Sequence, residues 1–242
     1  MKLKNLFDFE TPVTKPGPLH YRIEDFNEGQ RAREVISRSN HKHVVRMSSP
    51  KNRRSVELES LLEYHFARQM EVCHWVKSYQ EQPFRLSMVI DGKWVTTYPD
   101  FLLSSTTGER ELIQVKPKKK AQLPEIQKIF CMQRRVAEAE NWRFRVITEE
   151  DLNRGALAKN VDYLFRLRRR RVYEPMVLER TLDALKGKPS DVAALLPKVS
   201  GLSEEQLHIY VAYGFLDTDL ALPLTLATVM AAVKREAHNA LH

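Results

Sequence analysis

At 242 residues the chain is long enough for one large domain or two small ones. Its 39 Lys and Arg against 31 Asp and Glu leave a formal charge of +8, a surplus that favours polyanions through phosphate contact and counterion release. No stretch of about 18 residues is apolar enough to span a bilayer, and Met1-Lys2-Leu3-Lys4 lacks an apolar signal core, so membrane and secreted classes are set aside and a cytoplasmic protein is expected.

Taken in chain order, residues 1–39 open with Pro12, Pro16 and Pro18 close together, which predicts an arm without regular structure lying over another surface. Val44 to Met47 and Arg54 to Leu58 are expected to form a small hairpin. Leu58, Leu61, Leu62 and Phe66 recur at helical spacing within Ser55 to Met70, an amphipathic helix with Glu63 near its middle; His65, two residues on, faces elsewhere and reads as filler. Cys73 and Cys131 lack CxxC spacing, so buried thiols in a reduced compartment are expected, and His41 and His43 lie in no zinc-ligand pattern. Leu86 to Ile90 and Lys93 to Tyr98 flank Asp91-Gly92, a strong hairpin signal, and the second strand is predicted to run on into Asp100. Thr96 to Leu103 and the run ending at Gln114-Val115-Lys116, joined by the turn-forming Ser104 to Glu109, read as a further antiparallel hairpin. Leu123, Ile126, Phe130, Met132, Val136 and Ala137 trace a helix, and Phe144 to Thr148 is a short apolar strand that this crossover allows to return in parallel. The order α-β-β-β-α-β predicts a mixed sheet flanked by helices over residues 40–171.

That hairpin carries the chemistry. Side chains two apart on a strand share a face, so Gln114 and Lys116 do, and folding the strand back brings Asp100 to the Ile113/Gln114 level. Asp100 and Gln114 then offer oxygens to Mg²⁺, while Lys116 can approach a phosphate or a water. Lys118, Lys119 and Lys120 follow directly and are expected to set positive charge beside a cut site and bind DNA, with a solvated turn at the strand end as the alternative. Arg166 and Arg168 to Arg171 form a second basic block, open between DNA contact, partner interface and interdomain linker.

From Val172 the texture changes to short helices, predicted over Val177–Leu185, Asp191–Val199 and Ser203–Gly214, with starts at Ser190 and Ser203 and stops at Gly187, Gly201 and Gly214. A strand-like run from Leu216 to Leu226, broken by Pro223, and a closing helix from Leu226 to His238 complete a smaller, mainly helical, winged-helix-like domain over residues 172–242.

The element order and the motif resemble the restriction-endonuclease-like fold of the PD-(D/E)xK nucleases over roughly Asn40 to Asp151, with Gln114 where the second acid usually stands. Gln-x-Lys in that place is similar to the TnsA family, the endonuclease subunit of heteromeric cut-and-paste transposons. Ser60-Leu61-Leu62-Glu63 followed by Phe66 resembles its helix with a catalytic glutamate, and Gln82-Pro83-Phe84 matches its lead-in to the first hairpin. Pro99-Asp100-Phe101-Leu102 and Ile113-Gln114-Val115-Lys116-Pro117 resemble its metal-site segments, and Phe144 to Leu152 its closing strand and acidic turn. Helical geometry alone would also allow Glu59 in place of Glu63.

The resemblance implies a catalytic set of Glu63, Asp100, Gln114 and Lys116. Mg²⁺, for which Mn²⁺ can substitute, would be held by Glu63, Asp100, Gln114 and the Val115 carbonyl. It further implies cutting of the 5′ strand at transposon ends to leave a 5′-phosphate and a 3′-hydroxyl. The implied partners are double-stranded transposon-end DNA, a TnsB-like DDE transposase and a TnsC-like AAA+ ATPase docked on the C-terminal part, in a bacterial cytoplasm at the nucleoid. With two carboxylates, an amide being the weaker ligand, Mg²⁺ is expected to bind weakly until DNA phosphates join it. Two alternatives stay open: a stand-alone PD-(D/E)xK restriction or repair nuclease, and a decayed nuclease scaffold serving as an interaction module.

Overall fold

The computed structural model describes residues 18–27, 31–32 and 44–233. They fall into two compact units, one running to residue 71 and resuming over 75–153, the other comprising 72–74 and 154 onward. The first unit contains β1 (Tyr21–Glu24), β2 (Val45–Ser49), β3 (Arg54–Leu58), most of α1 (Leu61–Val72), β4 (Val76–Glu81), β5 (Arg85–Ile90), β6 (Lys93–Thr97), β7 (Phe101–Ser105), β8 (Arg110–Val115), α2 (Lys118–Ala121), α3 (Pro124–Ala139), β9 (Arg143–Ile147) and α4 (Glu149–Leu152).

Its principal sheet has the order β4-β7-β8-β9. β4 and β8 each pair antiparallel with β7, and β9 pairs parallel with β8, the return that the crossover helix α3 was expected to permit. Phe101, Leu102 and Leu103 are all buried, so β7 is covered on both faces. On one, Leu102 joins Leu112, Phe84, Leu86, Met88, Val136 and Ala137 in a cluster that ties α3 and the smaller sheet β1-β5-β6 to the strands. On the other, Phe101 meets Phe66 of α1 at 5.0 Å and Tyr79 of β4 at 6.1 Å between ring centres. The hairpin β2-β3 is tied to α1 by the wholly buried Glu71, which accepts hydrogen bonds from the Ser49 hydroxyl and from the Tyr79 hydroxyl at 2.8 Å.

Several expectations change. The run from Lys93 does not carry into Asp100: β6 ends at Thr97, and β6 and β7 belong to different sheets. Pro99 lacks an N–H and restricts Tyr98, so the ladder breaks there and the chain is re-aimed. The helix starts at Leu61 rather than near Ser55, because Arg54–Leu58 pairs with β2 in the register Met47 to Val56. The arm is not wholly irregular, since Tyr21–Glu24 pairs with β5; residues 1–17 lie outside the described residues, as do His41 and His43. Cys73 is buried and Cys131 half-buried, and neither is in a disulfide.

The second unit holds α5 (Leu157–Arg170), α6 (Pro175–Leu185), β10 (Ser190–Asp191), α7 (Val192–Leu195) with a 3-10 turn over Leu196–Lys198, α8 (Glu204–Ala212), β11 (Leu216–Asp217) and β12 (Val229–Ala232). The basic block therefore ends a 14-residue helix and is no linker. Asp191, not Ser190, caps α7 through the Ala194 N–H, whereas Ser203 and Gln206 form the expected start of α8 as a reciprocal cap. The predicted strand from Leu216 reduces to two residues, and the closing helix is replaced by β12, which lies between β10 and β11; residues 234–242 lie outside the described residues. Gly155 sits at φ +54° with the Ala221 carbonyl oxygen 2.3 Å from where a Cβ would stand, so only glycine fits where the 218–224 loop crosses the start of α5. Among the described residues no helix is long and apolar enough to cross a membrane.

Candidate active site

The pairing of Phe101 with Ile113 sets Asp100 across from Gln114, on one face, with Lys116 two residues further along that face. Asp100 is fixed from both its ends. Its Oδ2 accepts the Val115 N–H at 2.7 Å, and its carbonyl accepts the N–H of Gln82, at the end of β4, at 2.9 Å. Gln114 is 3% exposed and its amide nitrogen points to the Tyr98 carbonyl at 3.5 Å. The Lys116 N–H continues the β8–β9 ladder to the Ile147 carbonyl at 2.9 Å, and its side chain is half-buried.

Glu63 arrives from the first turn of α1, and local sequence places it. Ser60 accepts the Glu63 N–H at 3.2 Å and donates its hydroxyl to Glu63 Oε1 at 2.9 Å, while Oε2 accepts the Glu59 N–H at 2.9 Å. This is a variant of the S-x-x-E cap in which the glutamate takes the N–H one residue before Ser60, and it folds the carboxylate back over the helix start instead of letting it extend into solvent. Ser60-Leu61-Leu62-Glu63 carries that signal in the sequence, and the expected helix start near Ser55 overlooked it. His65, on the same helix, is exposed.

The three charged tips share one electrostatic environment. Burial pushes the Asp100 carboxyl up to about 7; the Lys116 ammonium opposes this, the Glu63 and Glu59 carboxylates add to it, and the Val115 N–H opposes it again. Burial also raises Glu63, against the hydrogen bonds from Glu59 and Ser60, with Glu59 raising it and Lys116 lowering it. Two acids held above their usual range by burial and mutual repulsion are an under-compensated negative site, which a cation relieves. Among the described residues no three His, Cys, Asp or Glu side chains form a metal cluster. A full coordination shell here would need neutral oxygens as well, for which Gln114 and the Val115 carbonyl follow along the strand. An all-oxygen set of this kind suits Mg²⁺ or Mn²⁺ rather than a thiophilic ion.

Of the basic residues, Lys118 is engaged twice, its N–H with Glu149 at 2.9 Å and its ammonium with Glu150 at 2.7 Å, whereas Lys119 and Lys120 are exposed. Two further residues border the site: Glu59, which the sequence offered only as an alternative to Glu63, and Gln82, read only as part of the lead-in to the first hairpin. Glu59 is ion-paired with Arg31 at 2.7 Å, and Gln82, at φ +39°, holds the Asp100 main chain.

Residues 73–149 match the family model described as TnsA-like endonuclease N terminal. The resemblance to TnsA-like endonucleases read from the motifs thus holds over that segment, about a third of the chain. The segment contains Asp100, Gln114, Lys116 and the lysine run; Glu63 precedes it. No curated protein matches the chain.

Proposed function

We propose that this protein is a metal-dependent DNA endonuclease that cuts the 5′ strand at the ends of a cut-and-paste transposon. One observation carries the reading: Asp100, Glu63 and Lys116, from two strands and a helix start, lie within one another's field, with Gln114 on the same face. A bound Mg²⁺ would supply Lewis-acid polarisation of a phosphodiester oxygen and a source of hydroxide. Asp100 and Glu63 would hold it through carboxylate oxygens, Gln114 and the Val115 carbonyl completing the set. Lys116 would orient the attacking water or stabilise the charge that builds on phosphorus. The reaction breaks the bond from phosphorus to the 3′ oxygen and leaves a 5′-phosphate and a 3′-hydroxyl.

After α5, the order helix, strand, two helices, strand, strand in the second unit supports a winged-helix-like module. We assign to it docking of an AAA+ partner, with a DDE transposase cutting the other strand. The test is strand-specific cleavage of end DNA with the cognate transposase and ATPase present. Cutting of the 5′ strand that needs those partners supports the reading. Cutting by the purified chain alone, with a sequence preference, would favour a restriction or repair nuclease, and no 5′ cutting under any condition would favour a scaffold.

The lysines give a separate expectation for DNA binding. Lys119→Gln with Lys120→Gln should weaken binding about equally for all sequences and reduce the slope of log affinity against log salt by about 2, whereas Lys118→Gln, already paired with Glu150, should change it by less than about 1. Filter binding over a salt series reads both; an unchanged slope in the double variant would leave Lys119 and Lys120 as merely solvated residues of α2.

A further inference from the structure

Arg31 belongs to the stretch expected to form an arm, yet its side chain is only 9% exposed. Its guanidinium forks between three residues. Nε and Nη2 donate to Gln82 Oε1 at 3.0 and 2.7 Å, Nη2 also to Glu59 Oε1 at 2.7 Å, and Nη1 to Glu57 Oε2 at 3.5 Å. The next residue adds a main-chain bond, the Ala32 N–H to the Gln82 carbonyl at 3.0 Å.

Both principal partners of Arg31 border the site. The Gln82 N–H holds the Asp100 carbonyl, and the Glu59 N–H holds the Glu63 carboxylate. The Glu59 side chain is close enough for its charge to act on both Asp100 and Glu63. Glu59 is thus a third carboxylate at the edge of a two-carboxylate centre, and a permanently charged guanidinium anchored on Gln82 by two further bonds is well suited to keep it occupied.

We propose that Arg31 is a positioning residue that holds Glu59 off the divalent ion, so that the ion is left to Asp100 and Glu63 in line with Lys116. The proposal rests on the metal-dependent nuclease reading. A carboxylate released beside the site strengthens the pull on a cation while drawing it out of line with the scissile phosphate. Tighter metal binding should therefore accompany slower cutting. Simple loss of structure would weaken both.

The test is Mn²⁺ binding to the full chain, followed by electron paramagnetic resonance through a millimolar titration, alongside 5′-strand cutting with the partners present. Arg31→Met should bind Mn²⁺ about tenfold more tightly and cut at least about tenfold more slowly. Adding Glu59→Gln to that variant should return the affinity to wild type or weaker and restore most of the cutting. Should Arg31→Met fail to fold, Arg31→Gln carries the same expectation, because it keeps a donor for Gln82 without the charge. Unchanged or weaker Mn²⁺ binding in the Arg31 variants, or no recovery in the double variant, overturns the role of Arg31. Wild-type binding that Asp100→Asn leaves untouched, or no wild-type binding at all, instead overturns the metal reading and this proposal with it.

Discussion

Asp100→Asn should abolish 5′-strand cutting, by a factor of at least about a thousand, and yet make the metal-free protein more stable at neutral and alkaline pH. Loss of cutting follows from removing one of two carboxylates at a centre whose other donors are neutral. The gain in stability follows from burial. The Asp100 carboxyl rises from 3.8 to about 7 on folding, so ionising it costs the folded state. That cost is absent below the unfolded value near 3.8, grows as pH rises towards 7 and is full above it; its ceiling is about 4 kcal/mol. The amide keeps an oxygen to accept the Val115 N–H and carries no charge. Thermal melts in chelator from pH 5 to 8 should show the variant's advantage growing with pH, and saturating Mg²⁺ should raise the wild type more than the variant. A variant less stable than wild type at every pH would mean that Asp100 is held mainly by favourable contacts.

Phe101→Ala should cost the first unit about 3–5 kcal/mol, the range for emptying a large aromatic site in a core. Phe101 has no exposed surface and packs between Phe66 and Tyr79, so its ring joins α1, which carries Glu63, to the strand that begins beside Asp100. The cavity would loosen a contact that sets two halves of the site against each other, so cutting should fall even where the variant remains folded. Phe101→Leu, which refills most of the volume, should cost under about 1.5 kcal/mol and keep cutting. All three tryptophans, Trp75, Trp94 and Trp142, lie within residues 75–153, so urea unfolding followed by their fluorescence reports this unit. A midpoint for Phe101→Ala within error of wild type would place the joint elsewhere.

What could be read from sequence was what local chemistry decides. Asp91-Gly92 set the hairpin β5-β6, α3 and its parallel return followed from periodicity and crossover length, and strand alternation brought Asp100 level with Gln114. The failures are places where a distant partner overrides the local pattern. β4 was missed because Gln80 and Glu81 are buried there. Their cost is offset from elsewhere: Arg54 grips Glu81 with two bonds at 2.6 and 2.5 Å, and the Gln80 amide reaches the Asn27 and Pro83 carbonyls at 2.8 and 3.3 Å. α5 was hidden by its run of arginines, although Leu157, Val161, Leu164, Phe165 and Leu167 give it a buried stripe. The expected helix after Leu226 lost to β12, whose place between β10 and β11 no local signal announces. At the site, the cap in Ser60-x-x-Glu63 was overlooked when the helix was begun near Ser55, and Arg31 lies 28 residues from the Glu59 it holds.

The proposed centre is one divalent ion gripped by Glu63, Asp100 and Gln114 beside Lys116. The most direct measurement is anomalous scattering from a crystal of the protein bound to transposon-end DNA and soaked in Mn²⁺. A single peak within coordination distance of Asp100 and Glu63, next to a phosphate of the 5′ strand, is the predicted result. Mn²⁺ bound elsewhere, or DNA seated with no ion at Asp100, would contradict it.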